Sequence, residues 1–364
     1  MTKYMKLLKR VQAVKKDNII IPKTDNETGY YTFVSDGEFK ILQLTDVHIG
    51  GGFLSRKKDA LATEAIANLT RYTKPDLIIV TGDMVYPILF QSGTIDNLRA
   101  TRYFAEIMER LGVYWTISFG NHDAERMSLG SKAELSEIYS DKNLKYCLYK
   151  RGPENIDGYG NQIIAIQNSC GIITQAVFIF DSQSYAGWGL RNYDNIHKNQ
   201  MEWYESEIIR LNAINRGRGA EELLKSLAFF HIPLKEQKNA WQEYSENGKK
   251  DTLNVKYRFG VAAEKKGNVY FGEGGADVFK IMLKTGSTHG IFTGHDHLNN
   301  FSVDYNGGFG DRYIRITAGM SIDYLAYPGI QKKHSQRGGT VITVKNDGGF
   351  DVFGLRLIDY GVLE

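Results

Sequence analysis

Five short segments of the 364-residue chain carry side chains of the types that can ligate metal ions: Asp46-Val-His48, Gly82-Asp83, Gly120-Asn-His-Asp123, His231 and Gly294-His-Asp-His297. The chain has eight histidines, and five of them (His48, His122, His231, His295, His297) fall in these segments. Imidazole and carboxylate together suit Zn, Fe, Mn, Co or Ni rather than Ca or Mg alone. In an extended segment residues i and i+2 project to one side, so Asp46 pairs with His48 and His295 with His297. Neighbouring glycines let the backbone turn sharply and approach a ligand closely. Each segment alone has an ordinary explanation. Gly-Asp after a strand is a common turn, Gly-Asn-His-Asp can start a capped helix, and His-Asp-His suits a solvated loop. Five of them in this order, each directly after an apolar run, are poorly explained by scatter.

The elements that would position them are legible. Phe39–Leu44 reads as a strand that stops at Thr45–Gly52. Residues 57–73 place Leu61, Ala65, Ile66 and Leu69 at helical spacing, with Pro75 beyond the end. Leu77–Val80 is a continuous apolar strand, Asn97–Leu111 a second helix and Val113–Ser118 a third strand. Strands separated by helices imply parallel neighbours covered by helices, and ligands gather at the carboxyl ends of such strands. The second half is richer in strands, at 162–166, 176–180, 226–230, 290–293, 311–317, 339–344 and 351–358, with a helix over 199–211. Asn346-Asp-Gly-Gly349 is a hairpin turn signal. Residues 1–37 read as a peripheral arm, 38–364 as one domain, and 236–275 as an insertion within it. This pattern alone fits a doubly wound sheet as well as other α/β arrangements.

Composition narrows the function. Lys+Arg of 45 against Asp+Glu of 42 leaves +3, too little to point to nucleic acid or an anionic membrane as a partner. The absence of a basic stripe argues against a nonspecific nuclease. Two cysteines, Cys147 and Cys170, exclude a disulfide framework, a four-cysteine zinc site or an iron–sulfur cluster. The basic start, Met1–Lys16, has no apolar stretch of signal-peptide type, and no run of about 18 apolar residues follows, so the expectation is a cytoplasmic protein.

The set D-x-H, G-D, G-N-H-[DE], H and G-H-x-H, from Asp46 to His297, resembles the calcineurin-like metallophosphoesterase family. Ile41-Leu-Gln-Leu-Thr-Asp-Val-His48, Phe229-Phe-His-Ile-Pro-Leu234 and Gly294–His297 are similar to its purple-acid-phosphatase-related branch. The resemblance implies an α/β fold, a two-sheet mixed β-sandwich flanked by helices, with a dinuclear metal centre at one edge. It implies that Asp46, His48, Asp83 and His297 hold one metal and that Asp83, Asn121, His231 and His295 hold the second. Asp83 would bridge the two, and a bridging hydroxide or water would act as nucleophile. His122 would be the general acid, and Asp123 the residue that orients it. The metals implied are two divalent or iron-type ions, with Fe, Mn and Zn all matching. Gly82-Asp-Met-Val-Tyr86 has the spacing at which a tyrosine ligates ferric iron in true purple acid phosphatases, so His48 and Tyr86 are both candidates for one coordination place. His48 is favoured, since an imidazole there needs no deprotonated phenol. Tyr86 is therefore expected to pack beside the ligands.

The expected function is hydrolysis of phosphomonoesters or phosphodiesters, with a small molecule or nucleotide as substrate. The competing reading is a binding scaffold that keeps the fold without catalysis. The loops expected at the mouth hold Tyr185, Trp188, Tyr193 and Trp241, which could stack on a base or sugar, and Arg56, Lys57, Arg126 and Arg191, which could meet phosphate. Oligomeric state leaves no mark in the sequence.

Overall fold

The apolar runs become strands because alternate residues serve two different cores. In the computed structural model, which describes residues 3–187, 192–327 and 337–358, Ile41, Leu77 and Ile79 point into one core while Leu42, Leu44, Ile78 and Val80 point into another. The chain opens with α1 (Lys3–Leu8), β1 (Lys23–Thr24) and β2 (Tyr31–Val34). Next come β3 (Phe39–Leu44), α2 (Arg56–Thr73), β4 (Leu77–Thr81), α3 (Leu89–Ser92), α4 (Asn97–Leu111), β5 (Tyr114–Ser118) and α5 (Lys132–Tyr139). The second half runs β6 (Gln162–Gln167), β7 (Ile173–Ile179), α6 (Lys198–Gly217), β8 (Ser226–Phe229), α7 (Lys235–Glu246), β9 (Val255–Phe259) and α8 (Val278–Thr285). It closes with β10 (Thr288–Thr293), β11 (Ser302–Tyr305), β12 (Ile314–Ala318), β13 (Gly338–Val344) and β14 (Phe350–Arg356).

These strands make two mixed sheets. The smaller has the order β14-β13-β3-β4-β5, with β3, β4 and β5 parallel and β13 antiparallel to β3. The larger has the order β1-β2-β6-β7-β8-β10-β12-β11-β9, with β7, β8, β10 and β12 parallel. Phe33, Phe39, Ile79, Val177, Phe229, Phe292 and Ile342 fill the layer between the sheets. Outside the smaller sheet α2, α4 and α5 cover Leu42, Val80, Trp115 and Ile117; outside the larger, residues of α6, α7 and α8 cover Phe178, Phe230 and Ile291. The two-sheet mixed sandwich flanked by helices is the fold the sequence led us to expect, and the doubly wound alternative is set aside.

Local signals explain the helix limits. In α2, Ala62, Ala65, Ile66 and Leu69 are buried on one face, and Lys74 turns left-handed at φ 46° just before Pro75. In α4, Asp96 accepts from Arg99 N at the start and Gly112 turns left-handed at the end. Residues 1–37, expected as a peripheral arm, contribute β1 and β2 to the larger sheet, with Phe33 fully buried against Phe39. Residues 236–275 hold most of α7 and all of β9, the edge strand beside β11. Trp241 lies in the core against Phe301 and Tyr244 rather than at a mouth, because its helix turns that face to β11. Trp188 and Arg191 lie outside the described residues.

The arrangement brings the carboxyl ends of β3, β4, β5, β8 and β10 to one edge. Side chains stitch the sheets together there. Gln43 Nε2 donates to Thr81 Oγ1 at 2.9 Å within the smaller sheet and to Thr293 O at 3.0 Å in the larger.

Candidate metal centre

Each ligand-type residue sits in the first few positions after a strand. Asp46 and His48 follow β3, Asp83 follows β4, and Asn121, His122 and Asp123 follow β5. His231 follows β8, and His295 and His297 follow β10. The backbone there is bent hard. Asp46, His48, Asp83 and His295 all take positive φ, between 50° and 76°. Such conformations in non-glycine residues cost about 1–3 kcal/mol each and gather at functional sites. Two glycines make room for the turns. A Cβ on Gly82 would fall 2.4 Å from His231 Nδ1, and one on Gly120 would fall 2.1 Å from Asp83 Oδ1.

The structure brings the side chains to one buried point. Asp83 is fully buried, and its Oδ2 lies 3.3 Å from His48 Nε2 and 3.2 Å from His231 Nε2. Its Oδ1 accepts from His122 N at 2.8 Å. On one side Asp46 Oδ1 lies 3.5 Å from His297 Nε2. On the other, His231 Nε2 lies 3.1 Å from Asn121 Oδ1 and 3.3 Å from His295 Nδ1. Three compact sets result, Asp46 with His48 and His297, His48 with Asp83 and His122, and Asp83 with His231 and His295. The donor atoms within each lie within 4.8 Å of one another, and the middle set links the outer two through His48 and Asp83.

This donor set fits two cations. Asp46 Oδ1 is buried with no hydrogen-bond donor among the described residues. His231 and His295 aim ring nitrogens at each other, an arrangement a cation between them would satisfy. The mixture of imidazole, carboxylate and one amide oxygen suits borderline transition metals.

Without metal the same crowding distorts the acid–base chemistry. Burial pulls His48 down, but the Asp323 and Asp83 carboxylates outweigh it and raise the imidazole to about 9. Burial likewise opposes His231, and Asp83 raises it to about 9. Burial, reinforced by the charge on His231, depresses His295 to about 3. Burial would raise Asp83, yet the surrounding histidines hold it well below the usual carboxylate range.

His122 differs from the other imidazoles of the centre. Its ring is partly exposed, and its Nδ1 lies 2.5 Å from Glu125 Oε1. Asp123, expected to orient it, is used otherwise. The Asp123 carboxylate accepts from the backbone N–H groups of Asp83 and Val85, both at 3.0 Å, and of Gly120 at 2.8 Å. That pins the β4 and β5 loops together, and the turn after Asp123 presents Glu125 to the ring instead. Glu125 is also reached by Tyr185, whose hydroxyl donates to Oε1 at 3.2 Å and accepts from Asn121 Nδ2 at 3.1 Å. Tyrosines surround the centre. The Tyr86 ring packs edge-on against His48 and His122, Tyr193 against His295, and Tyr327 against His297.

Two residues in contact with this cluster escaped the motif reading. Glu125 is three residues past His122, the spacing of one helical turn. Asp323 follows the end of β12 by five residues, and strand-end position was the signal that could have found it.

The model of the family described as calcineurin-like phosphoesterase matches residues 39–299. Probable inactive purple acid phosphatase 28 of Arabidopsis thaliana is 27% identical over 311 residues, 76% of this chain and 72% of its own. Phosphatase DCR2 of Saccharomyces cerevisiae is 30% identical over 287 residues, 74% of this chain and 45% of its own. A dimetal phosphatase from Danio rerio shares the fold at a TM-score of 0.54 and 11% identity, over 87% of this chain and 95% of its own.

Proposed function

We propose a metal-dependent phosphoesterase activity for this chain, which belongs to the calcineurin-like phosphoesterase family. The observation that carries the reading is the placement of Asp83, with one carboxylate oxygen against an imidazole of each ligand set. One ion would be held by Asp46, His48, Asp83 and His297, and the other by Asp83, Asn121, His231 and His295. When bound, such a pair polarises phosphoryl oxygens and lowers the pKa of water enough to supply a nucleophile near neutral pH.

The chain's own groups do the rest. Asp83 keeps the two sets in register. His122, with Nδ1 against Glu125, leaves Nε2 to give a proton to the departing ester oxygen. Glu125 steadies the cationic ring that this step requires. Asn121 and Glu125 are held in turn by the Tyr185 hydroxyl. The substrate would be a phosphomonoester or phosphodiester of a small molecule or nucleotide, its organic part meeting the tyrosines at the rim.

A second reading is a metal-binding scaffold without turnover, favoured by the word inactive in the names of three Arabidopsis thaliana relatives. This chain carries every residue of both ligand sets and His122, which supports the enzyme. The test is elemental analysis of protein purified from metal-supplemented medium, with hydrolysis of an aryl phosphate monoester and diester on the same sample. Two metals per chain with turnover are expected. Two metals with no turnover on any phosphate ester would favour the scaffold, and no metal after reconstitution would overturn both readings.

A further inference from the structure

We propose that Asp323 is the positioning residue for two metal-binding imidazoles at once, fixing the proton on Nδ1 of both His48 and His297. The proposal rests on the ligand sets given above. Asp323 is fully buried, with Oδ1 3.2 Å from His48 Nδ1 and Oδ2 3.2 Å from His297 Nδ1. Neither nitrogen has another polar partner among the described residues, and neither contact is yet a well-aligned hydrogen bond. The opposite nitrogen of each ring faces the centre, His48 Nε2 toward Asp83 and His297 Nε2 toward Asp46.

The chemistry requires such a group. An imidazole that ligates through Nε2 keeps its proton on Nδ1, and the partner of that proton sets tautomer and ring orientation. An ionised carboxylate accepts at both oxygens, so one aspartate can serve two rings. The clamp is itself anchored. Asp323 Oδ1 accepts from the N–H groups of Leu325 and Ala326 at 2.7 Å, and Oδ2 from that of Tyr327 at 2.6 Å. Its own N–H donates to Asp46 O at 2.8 Å, which ties it to the strand end bearing two ligands. The second set does not depend on it. His231 Nδ1 is fixed by the carbonyl of Thr81 at 2.8 Å, and His295 turns Nδ1 inward.

Asparagine at this position offers an acceptor to one ring and an NH2 to the other, so it should force one histidine into the wrong tautomer. The experiment is titration of metal-free protein with zinc against a competing chelator, for wild type, Asp323→Asn and Asp323→Ala. Wild type should bind two zinc ions. In both variants one affinity should fall about ten- to a hundredfold while the other is unchanged, and that intact affinity reports an intact fold. Equal affinities in all three proteins, or loss of both sites together, would overturn the clamp. Should the variants not fold, ¹⁵N NMR of the zinc-loaded wild type decides. Protons on Nδ1 of His48 and His297 are expected, and their absence would refute the assignment. A wild type that binds no zinc would overturn the ligand reading itself, and the clamp with it.

Discussion

In the proposed mechanism, His122 and Glu125 serve catalysis rather than metal binding, and substitutions there separate the two. Replacing His122 with alanine should lower kcat by about 10²–10⁴-fold, the worth of a general acid, with metal content retained. Metal loss in that variant would make the ring a ligand instead. Glu125→Gln removes one charged hydrogen bond of about 1.5–3 kcal/mol and should lower kcat by about ten- to a hundredfold, again with metals bound. The buried imidazoles give a pH signature. In metal-free protein His48 and His231 are raised from 6.5 to about 9, so binding must expel their protons. Burial pulls His297 down, but Asp323 and Asp46 outweigh it and raise that ring too, which adds to the effect. Apparent metal affinity should therefore climb with pH through about 9, with proton release visible by calorimetry in buffers of different ionisation enthalpy. The sign for stability is opposite. The ion pairs support the metal-free fold fully below about 6.5 and lose that support as pH rises through about 9. The histidines and carboxylates that cluster at the centre were legible because they recur at strand ends. Glu125 and Asp323 were not, because which carboxylate reaches an imidazole depends on the path of a loop, and Asp123 was the nearer residue in sequence.

Strands and helices with a clear period came through the sequence well. Phe39–Leu44, Leu77–Thr81 and Asn97–Leu111 lie within a residue of where their apolar spacing puts them. The short strands β9 and β11 did not, since Lys256, Arg258 and Asp304, the last paired with Arg258 and Arg315, break the apolar run that marks a strand. Between elements the turn after β5 is tightly packed against the centre. A methyl group at Gly120 would meet both Asp83 Oδ1 and, at 2.4 Å, Asp83 N. Gly120→Ala should cost about 1–3 kcal/mol of stability, read from denaturant melts, and should lower metal content, because relief of the clash displaces the shared carboxylate.

At the level of the molecule, the centre is the seam between the sheets. The smaller sheet supplies Asp46, His48, Asp83 and Asn121, and the larger supplies His231, His295 and His297. Chelation should therefore loosen the whole fold. Metal present at about a hundred times its Kd stabilises by about 2.7 kcal/mol, so removal should give a lower, metal-dependent Tm by calorimetry. A Tm indifferent to metal would mean the two sheets are locked without it. The division into two sheets was beyond the sequence pattern alone. The strand–loop–helix unit looks the same in either architecture, and only long-range pairing, such as β13 against β3, decides which sheet a strand joins.

The left-handed turns at Asp46, His48, Asp83 and His295 carry a lesson for anyone who breeds this protein for heat resistance. A screen that rewards survival alone will find its easiest gains where the backbone is most uncomfortable, and those four positions are among the most uncomfortable it has. The centre would be the first thing such a lineage discards. Selection for robustness must keep a metal-dependent readout in view, or it will return a sturdier sandwich with nothing at its edge.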